Sequence, residues 1–166
     1  MAETRNWQAW LAEHGPPLLL LARQRVRNVA DAEDIVQEAF LRFWHSRHNA
    51  RDPVAYLYAC TRSHCLDWLR DGQRRVRREG AVARNELAAA PDLFTAIECD
   101  ERRRLIEEAL GSLPHEQREV VIMKLWGNLS FAQIGEALSV PANTAASRYR
   151  YALEKLRHPL AQEPTT

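Results

Sequence analysis

The sequence predicts an all-α protein: two small helical domains joined by a flexible linker, the second carrying a helix-turn-helix. Three observations support this. Apolar residues recur at helical spacing in several windows, and no stretch alternates apolar and polar residues with β-branched enrichment. That periodicity fades after Gly72, where an arginine-rich stretch leads to Ala88, Ala89, Ala90 and Pro91. Near the C-terminus a short helix, a tight turn and a longer helix follow one another. The expected limits are residues 1–72 for the first domain, 73–94 for a basic linker and 95–166 for the second domain.

Composition sets the class. With 46% hydrophobic and 27% charged residues in 166, the chain is globular and far from the disordered regime. The formal net charge of +1 conceals a local excess, because Arg70, Arg74, Arg75, Arg77, Arg78 and Arg84 face only Asp71 and Glu79 as counterweights. No apolar run approaches the ~18–20 residues that cross a bilayer. The longest, Leu18 to Ala22, is followed by Arg23, Arg25 and Arg27, the reverse of a signal-peptide order. A cytoplasmic protein without direct membrane insertion is expected. Cys60, Cys65 and Cys99 are an odd, sparse set that fits reduced thiols.

The first helix is expected from about Arg5 to Glu13, stopped by Gly15, Pro16 and Pro17, with a second helix burying Leu18, Leu21, Ala22, Val26 and Val29. Asp31, with Asp34 three residues on, reads as the N-cap of a helix reaching Trp44. Its buried face would be Ile35, Val36, Ala39, Phe40 and Phe43, leaving Asp34, Gln37, Glu38, Leu41 and Arg42 outside. A leucine exposed among acids and an amide marks a partner surface. Asp52 and Pro53 open the next helix, which buries Val54, Leu57, Tyr58, Thr61, Cys65, Trp68 and Leu69 and ends at Gly72. Its opposite face carries Tyr56, Ser63, Asp67 and Arg70.

Helical spacing resumes from about Thr95 to Leu110, closed by Gly111, and Ser112 with Pro114 launches a helix that stops at Gly127. Ser130 with Gln133 forms a capping box for a short helix, Ser139, Val140 and Pro141 make the turn, and a last helix runs from Ala142 to about Arg157. That last helix buries Ala145, Tyr149, Ala152, Leu153 and Leu156, while its free face opens with Asn143, Ala146, Ser147 and Arg150, with Thr144 and Arg148 nearby. Such a layout lets the second helix enter a major groove, where Asn reads adenine edges, Arg reads guanine edges, and Ser and Thr bond bases or phosphates. An ordinary helical hairpin with a solvated face has the same outline.

Catalytic signals are lacking. His115-Glu116 begins like a zinc-protease motif, yet position 119 is Glu where a second His is required. Cys60 and His64 can share a face, but a structural zinc site needs about four ligands. Neither a glycine-rich phosphate loop nor a nucleophile-base-acid set emerges, so no metal, cofactor, small-molecule substrate or catalytic residue is expected.

At this point the chain resembles a known family. Asp31-Ala32-Glu33-Asp34-Ile35-Val36-Gln37-Glu38-Ala39-Phe40 is similar to the most recognisable motif of extracytoplasmic-function sigma factors, the small two-domain members of the bacterial sigma-70 type. Leu113-Pro114-His115-Glu116-Gln117-Arg118-Glu119-Val120 and Leu129-Ser130-Phe131-Ala132-Gln133-Ile134-Gly135 resemble its promoter-reading module, and the likeness spans roughly Trp10 to Arg157.

The resemblance implies that Asp34, Gln37, Glu38 and Leu41 contact core RNA polymerase. It implies that Tyr56, Arg62, Ser63, Asp67 and Arg70 serve the locally melted minus-ten element. Asn143, Thr144, Ala146, Ser147, Arg148 and Arg150 would read the double-stranded minus-thirty-five element, and an anti-sigma partner is commonly associated with such proteins. Tyr56 keeps two readings, a platform for unstacked bases or packing against the preceding loop. The arginine cluster keeps two as well, contact with DNA backbone or the polymerase channel, or a solvated connector. Ser63 stands where the family often has Asn, Ala146 where it often has Lys, and Ser139 where a glycine is usual. Two rival functions remain at this stage, a stand-alone helix-turn-helix regulator and a helical protein-interaction module.

Overall fold

The computed structural model describes residues 2–79 and 100–160, with side chains described for residues 6–72 and 101–157. The described residues are helical, with no strand among them, in agreement with the expected fold class. The chain divides into two compact units, Met1–Phe94 and Thr95–Thr166.

In the first unit, α1 spans Ala2–Arg23, α2 Val29–Ser46 and α3 Pro53–Glu79, with a single 3-10 turn at Arg47–Asn49 before α3. Three boundaries differ from expectation. Gly15, Pro16 and Pro17 do not stop the first helix, because α1 runs through them as one helix. The two prolines remove N–H donors from the ladder, but Leu18, Leu19, Leu21 and Ala22 just beyond are all buried and keep the chain on the core. Asp31 is not the N-cap. Asn28 is, in extended backbone, its side-chain oxygen accepting from the Ala30 and Asp31 amides, so Val29 opens α2 and Asp31 supplies the acid of the first turn.

Gly72 does not end α3 either. A single glycine costs a helix only ~1 kcal/mol, and the arginine-rich segment that follows has good helix formers, so the helix continues to Glu79. The expected linker thus begins as helix, and its remainder to residue 94 lies outside the described residues.

The core of this unit is aromatic. Trp7 meets Phe40 and Trp44 edge-on, each at 4.9 Å between ring centroids, while Trp10 packs on Phe43 at 5.0 Å. Phe40, Phe43, Leu57 and Tyr58 are fully buried beneath them, joining α1 to α2 and α3. Thr61 satisfies its buried hydroxyl by donating to the Leu57 carbonyl one turn back, at 3.1 Å. Cys60 and Cys65 are buried free thiols, as packing residues would be, and burial pushes the Cys60 thiol above its ordinary value. Cys99 lies outside the described residues.

His14 is buried in the same cluster, with Nδ1 3.4 Å from the Tyr58 hydroxyl and the ring 5.2 Å from Trp10. Burial lowers its pKa, with the Glu13 carboxylate partly opposing, and the same burial raises that of Tyr58. Because the folded imidazole binds its proton less readily than the unfolded one, this contribution to stability is complete above the unfolded value of ~6.5. It is lost as pH falls below that value toward the lower folded one. The melting temperature of the first unit is therefore expected to fall between pH 7 and pH 5, and His14→Gln to flatten that part of the slope in thermal melts.

The second unit is built from α4 (Asp100–Gly111), α5 (His115–Leu125), α6 (Phe131–Leu138) and α7 (Ala142–Leu160). The Thr95 to Cys99 part of the expected helix lies outside the described residues. Helix α5 is central. Glu119, Val120, Val121, Ile122 and Met123 are buried in succession, which only a helix covered on several sides permits, and α6 and α7 both pack on it. Pro114 precedes α5 without a side-chain cap. The residue Asn128, just after α5, is in the left-handed conformation, with φ 56°.

Arg118 ties the α4–α5 corner together by donating to the carbonyls of Leu110, Gly111 and Leu113 at 2.9, 3.3 and 3.0 Å. These carbonyls belong to a helix end and the turn beyond it, where the helix dipole favours a cation, and the Leu110 carbonyl also accepts from the Leu113 amide at 3.1 Å.

Candidate functional site

On α2 the apolar stripe of Ala32, Ile35, Val36, Ala39, Phe40 and Phe43 is buried, and at about 100° per residue this turns Asp34, Gln37, Glu38 and Leu41 to the opposite side. All four are exposed, and Leu41 retains 54% of its surface. Leu41 thus stands as an open isobutyl group among polar neighbours. At its edge Glu38 Oε2 lies 3.9 Å from His64 Nδ1, linking this face to α3.

On α3 the spacing of Tyr56, Ser63, Asp67 and Arg70 places them along one stripe, with Ser63, Asp67 and Arg70 exposed. Asp67 and Arg70 pair at 3.2 Å in solvent, an interaction of little energetic weight that still presets the guanidinium. Arg62 is half-buried and sits off this stripe. Tyr56 is half-buried too, its ring 6.2 Å from Phe43 and its hydroxyl side toward the Cys60 thiol. Packing thus anchors Tyr56 from beneath while part of the ring stays accessible.

The helix-turn-helix is α6, the turn and α7. Ser130 accepts from the Gln133 amide at 3.1 Å and the Gln133 side chain accepts from the Ser130 amide at 2.9 Å, completing the expected capping box. Ser139 takes the left-handed conformation at φ 57° and ψ 45°, and the Val140 amide then bonds the Gly135 carbonyl at 2.9 Å. The turn is so close that a Cβ on Gly135 would stand 2.6 Å from the Val140 carbonyl oxygen.

A side chain in left-handed backbone costs ~1–2 kcal/mol, part of which a glycine gives back through unfolded-state freedom. Ser139→Gly is accordingly expected to stabilise the second unit by ~0.5–1 kcal/mol, read as a rise of a few degrees in its melting temperature.

Along α7, Ala145 and Ala152 are fully buried and Tyr149, Leu153 and Leu156 half-buried, with Tyr149 against Phe131 at 5.6 Å. Asn143 and Arg150 are exposed on the opposite side, with Ser147 and Ala146 half-exposed between them. Thr144 lies toward the flank. Arg148 turns away from this group, its guanidinium 3.7 Å from the Glu116 carboxylate of α5.

Sequence reasoning passed over Tyr151, which is 50% exposed beside the free face and has the Arg150 guanidinium 5.2 Å from its ring centroid. The signal available was an aromatic residue outside the Ala145, Tyr149, Ala152 spacing. Glu119, 3% exposed with a carboxylate 3.6 Å from His115, and the Arg118 clamp were also unforeseen, since both depend on helices meeting in space. No group of three or more His, Cys, Asp or Glu side chains able to hold a metal occurs among the described residues.

Residues 10–75 match the family Sigma-70 region 2 and residues 103–156 the family Sigma-70, region 4. The ECF RNA polymerase sigma factor SigL of Mycobacterium tuberculosis is 31% identical over 162 residues, covering 94% of this chain and 89% of SigL. The ECF RNA polymerase sigma factor SigK of Mycobacterium ulcerans is 30% identical over 144 residues, covering 83% and 76% respectively. Among solved structures, the sigma factor RpoE bound to the anti-sigma factor NepR from Bartonella quintana shares the fold at a TM-score of 0.69 and 20% identity, covering 96% of this chain and 99% of RpoE. CnrH, solved with the cytosolic domain of CnrY, does so at 0.63 and 20%, covering 97% of this chain and 91% of CnrH. With both regions matched in order, and with relatives of this identity along nearly the whole length, the chain belongs to the ECF sigma factors of the sigma-70 type.

Proposed function

We propose that this protein binds core RNA polymerase, directs it to a two-part promoter and assists strand opening, with no catalytic chemistry of its own. The observation that carries the reading is the presence on one chain of both sigma regions, with an exposed polar face on α2 and another on α7 to support it. In the first unit, taken over residues 1–72, Asp34, Gln37, Glu38 and Leu41 hold the polymerase. Tyr56, Ser63, Asp67 and Arg70, with Arg62 at the flank, serve the minus-ten element. The exposed part of the Tyr56 ring stacks on an unpaired base, and the arginines lie near phosphates. In the second unit, taken over 95–166, Asn143, Ala146, Ser147 and Arg150 enter the major groove at the minus-thirty-five element. Thr144 and Arg148 contact its backbone, Arg148 by exchanging Glu116 for a phosphate.

Residues 73–94 connect the two units, and the positive charge of the segment favours a path along DNA or the polymerase channel. The protein works in the cytoplasm, and no described helix is long and apolar enough to cross a membrane. Because RpoE and CnrH were each solved with a partner, an anti-sigma protein is proposed to restrain this chain as well.

Run-off transcription with core polymerase on a promoter library tests the reading. The expected result is initiation at a fixed distance from a recurring two-part element only when this protein is added. Promoter binding without any transcript would instead identify a stand-alone regulator, and loss of promoter binding altogether an interaction module.

A further inference from the structure

We propose that Tyr151 is a positioning residue for promoter reading, its exposed ring holding the Arg150 guanidinium in the plane in which it meets a guanine edge. The inference rests on the reading of α7 as the helix that meets the minus-thirty-five element.

Three observations carry it. Tyr151 keeps half of its surface in solvent next to the exposed Arg150, so much of the ring is free of the core of the second unit. The Arg150 Cζ lies 5.2 Å from the Tyr151 ring centroid, inside the ~6 Å range of an effective cation–π contact. The early free face is otherwise poor in base-reading cations among its described residues, since position 146 is alanine and Arg148 lies off that face, against Glu116, where it is placed to meet backbone and not base edges. Guanine reading by arginine needs the planar fork aligned with the O6 and N7 acceptors. A side chain with several rotatable bonds loses freedom in adopting that alignment, and a ring in cation–π contact with it removes part of the loss in advance.

The test uses the full-length protein in holoenzyme, with selection read from run-off transcripts on a library randomised through the minus-thirty-five element. Tyr151→Ala is expected to weaken the preference for guanine at the position read by Arg150 by about two- to fivefold while leaving the other positions unchanged. Tyr151→Phe keeps the ring and is expected to restore the preference. In an Arg150→Ala background, Tyr151→Ala is expected to add nothing. The proposal is overturned if Tyr151→Phe behaves like Tyr151→Ala, which would assign the effect to the hydroxyl. Equal effects of Tyr151→Ala with and without Arg150 also overturn it, because Tyr151 would then act by itself. If the unsubstituted protein selects no minus-thirty-five sequence at all, the reading of α7 fails first, an outcome distinct from the other two.

Discussion

Phe43→Ala is expected to lower the stability of the first unit by ~3–5 kcal/mol, the cost of emptying a fully buried aromatic site. Phe43 is wholly inaccessible and sits where α1, α2 and α3 meet, with Trp10 at 5.0 Å, Phe40 at 5.9 Å and Tyr56 at 6.2 Å. Small domains have only ~5–15 kcal/mol in total, so this single truncation removes a large share. It also takes away the support beneath Tyr56, so strand opening is expected to fail before promoter binding does. Urea denaturation of the variant measures the loss, with Phe43→Leu, which refills most of the site without the aromatic contacts, expected to cost less than the alanine variant. A loss below 1 kcal/mol for the alanine variant would mean that the three helices do not converge on this ring.

Gly135→Ala is expected to cost the second unit ~2–3 kcal/mol by overpacking, and to impair minus-thirty-five recognition more than the stability loss alone explains. The added methyl would meet the Val140 carbonyl oxygen at 2.6 Å and the Ala142 amide nitrogen at 3.2 Å, both backbone atoms of the turn that aims α7. Neither can swing aside as a side chain would, so α6 and α7 must separate. Thermal melting gives the stability term, and promoter selection at a temperature where the variant is still folded gives the aiming term. An alanine variant with unchanged melting and unchanged selection would contradict the close turn.

Periodic apolar patterns were legible in the sequence because burial of a helix face is a repeated, local signal. The exposed set of α2 and the Ala145, Tyr149, Ala152 spacing of α7 both came from that signal, and the capping box of Ser130 and Gln133 from hydrogen-bonding chemistry confined to four residues. Punctuation by single residues was less reliable. Pro16 and Pro17 penalise a helix locally, yet the leucines after them are fixed by tertiary burial that outweighs the missing amides. Asp31 and Asn28 are both competent caps, and only the extended backbone at Asn28 decides between them.

Part of the site was out of reach for a different reason. The diversion of Arg148 to Glu116 and the support of Tyr56 by Phe43 join side chains from different helices, and the burial of Glu119 depends on the helices that cover α5. Linear spacing assigns a residue to a face of its own helix, but what covers or engages that face depends on packing.

The division of labour between the two faces is tested most directly by the affinity of core RNA polymerase for two full-length variants, Leu41→Asp and Arg150→Ala. Placing a carboxylate at the exposed Leu41, on the face proposed to meet polymerase, is expected to weaken core binding at least about tenfold, or ~1.4 kcal/mol, while Arg150→Ala leaves it within about twofold of the parent. If Leu41→Asp binds core as tightly as the unsubstituted protein, or if Arg150→Ala is the variant that loses it, the assignment of α2 to polymerase and α7 to DNA is wrong.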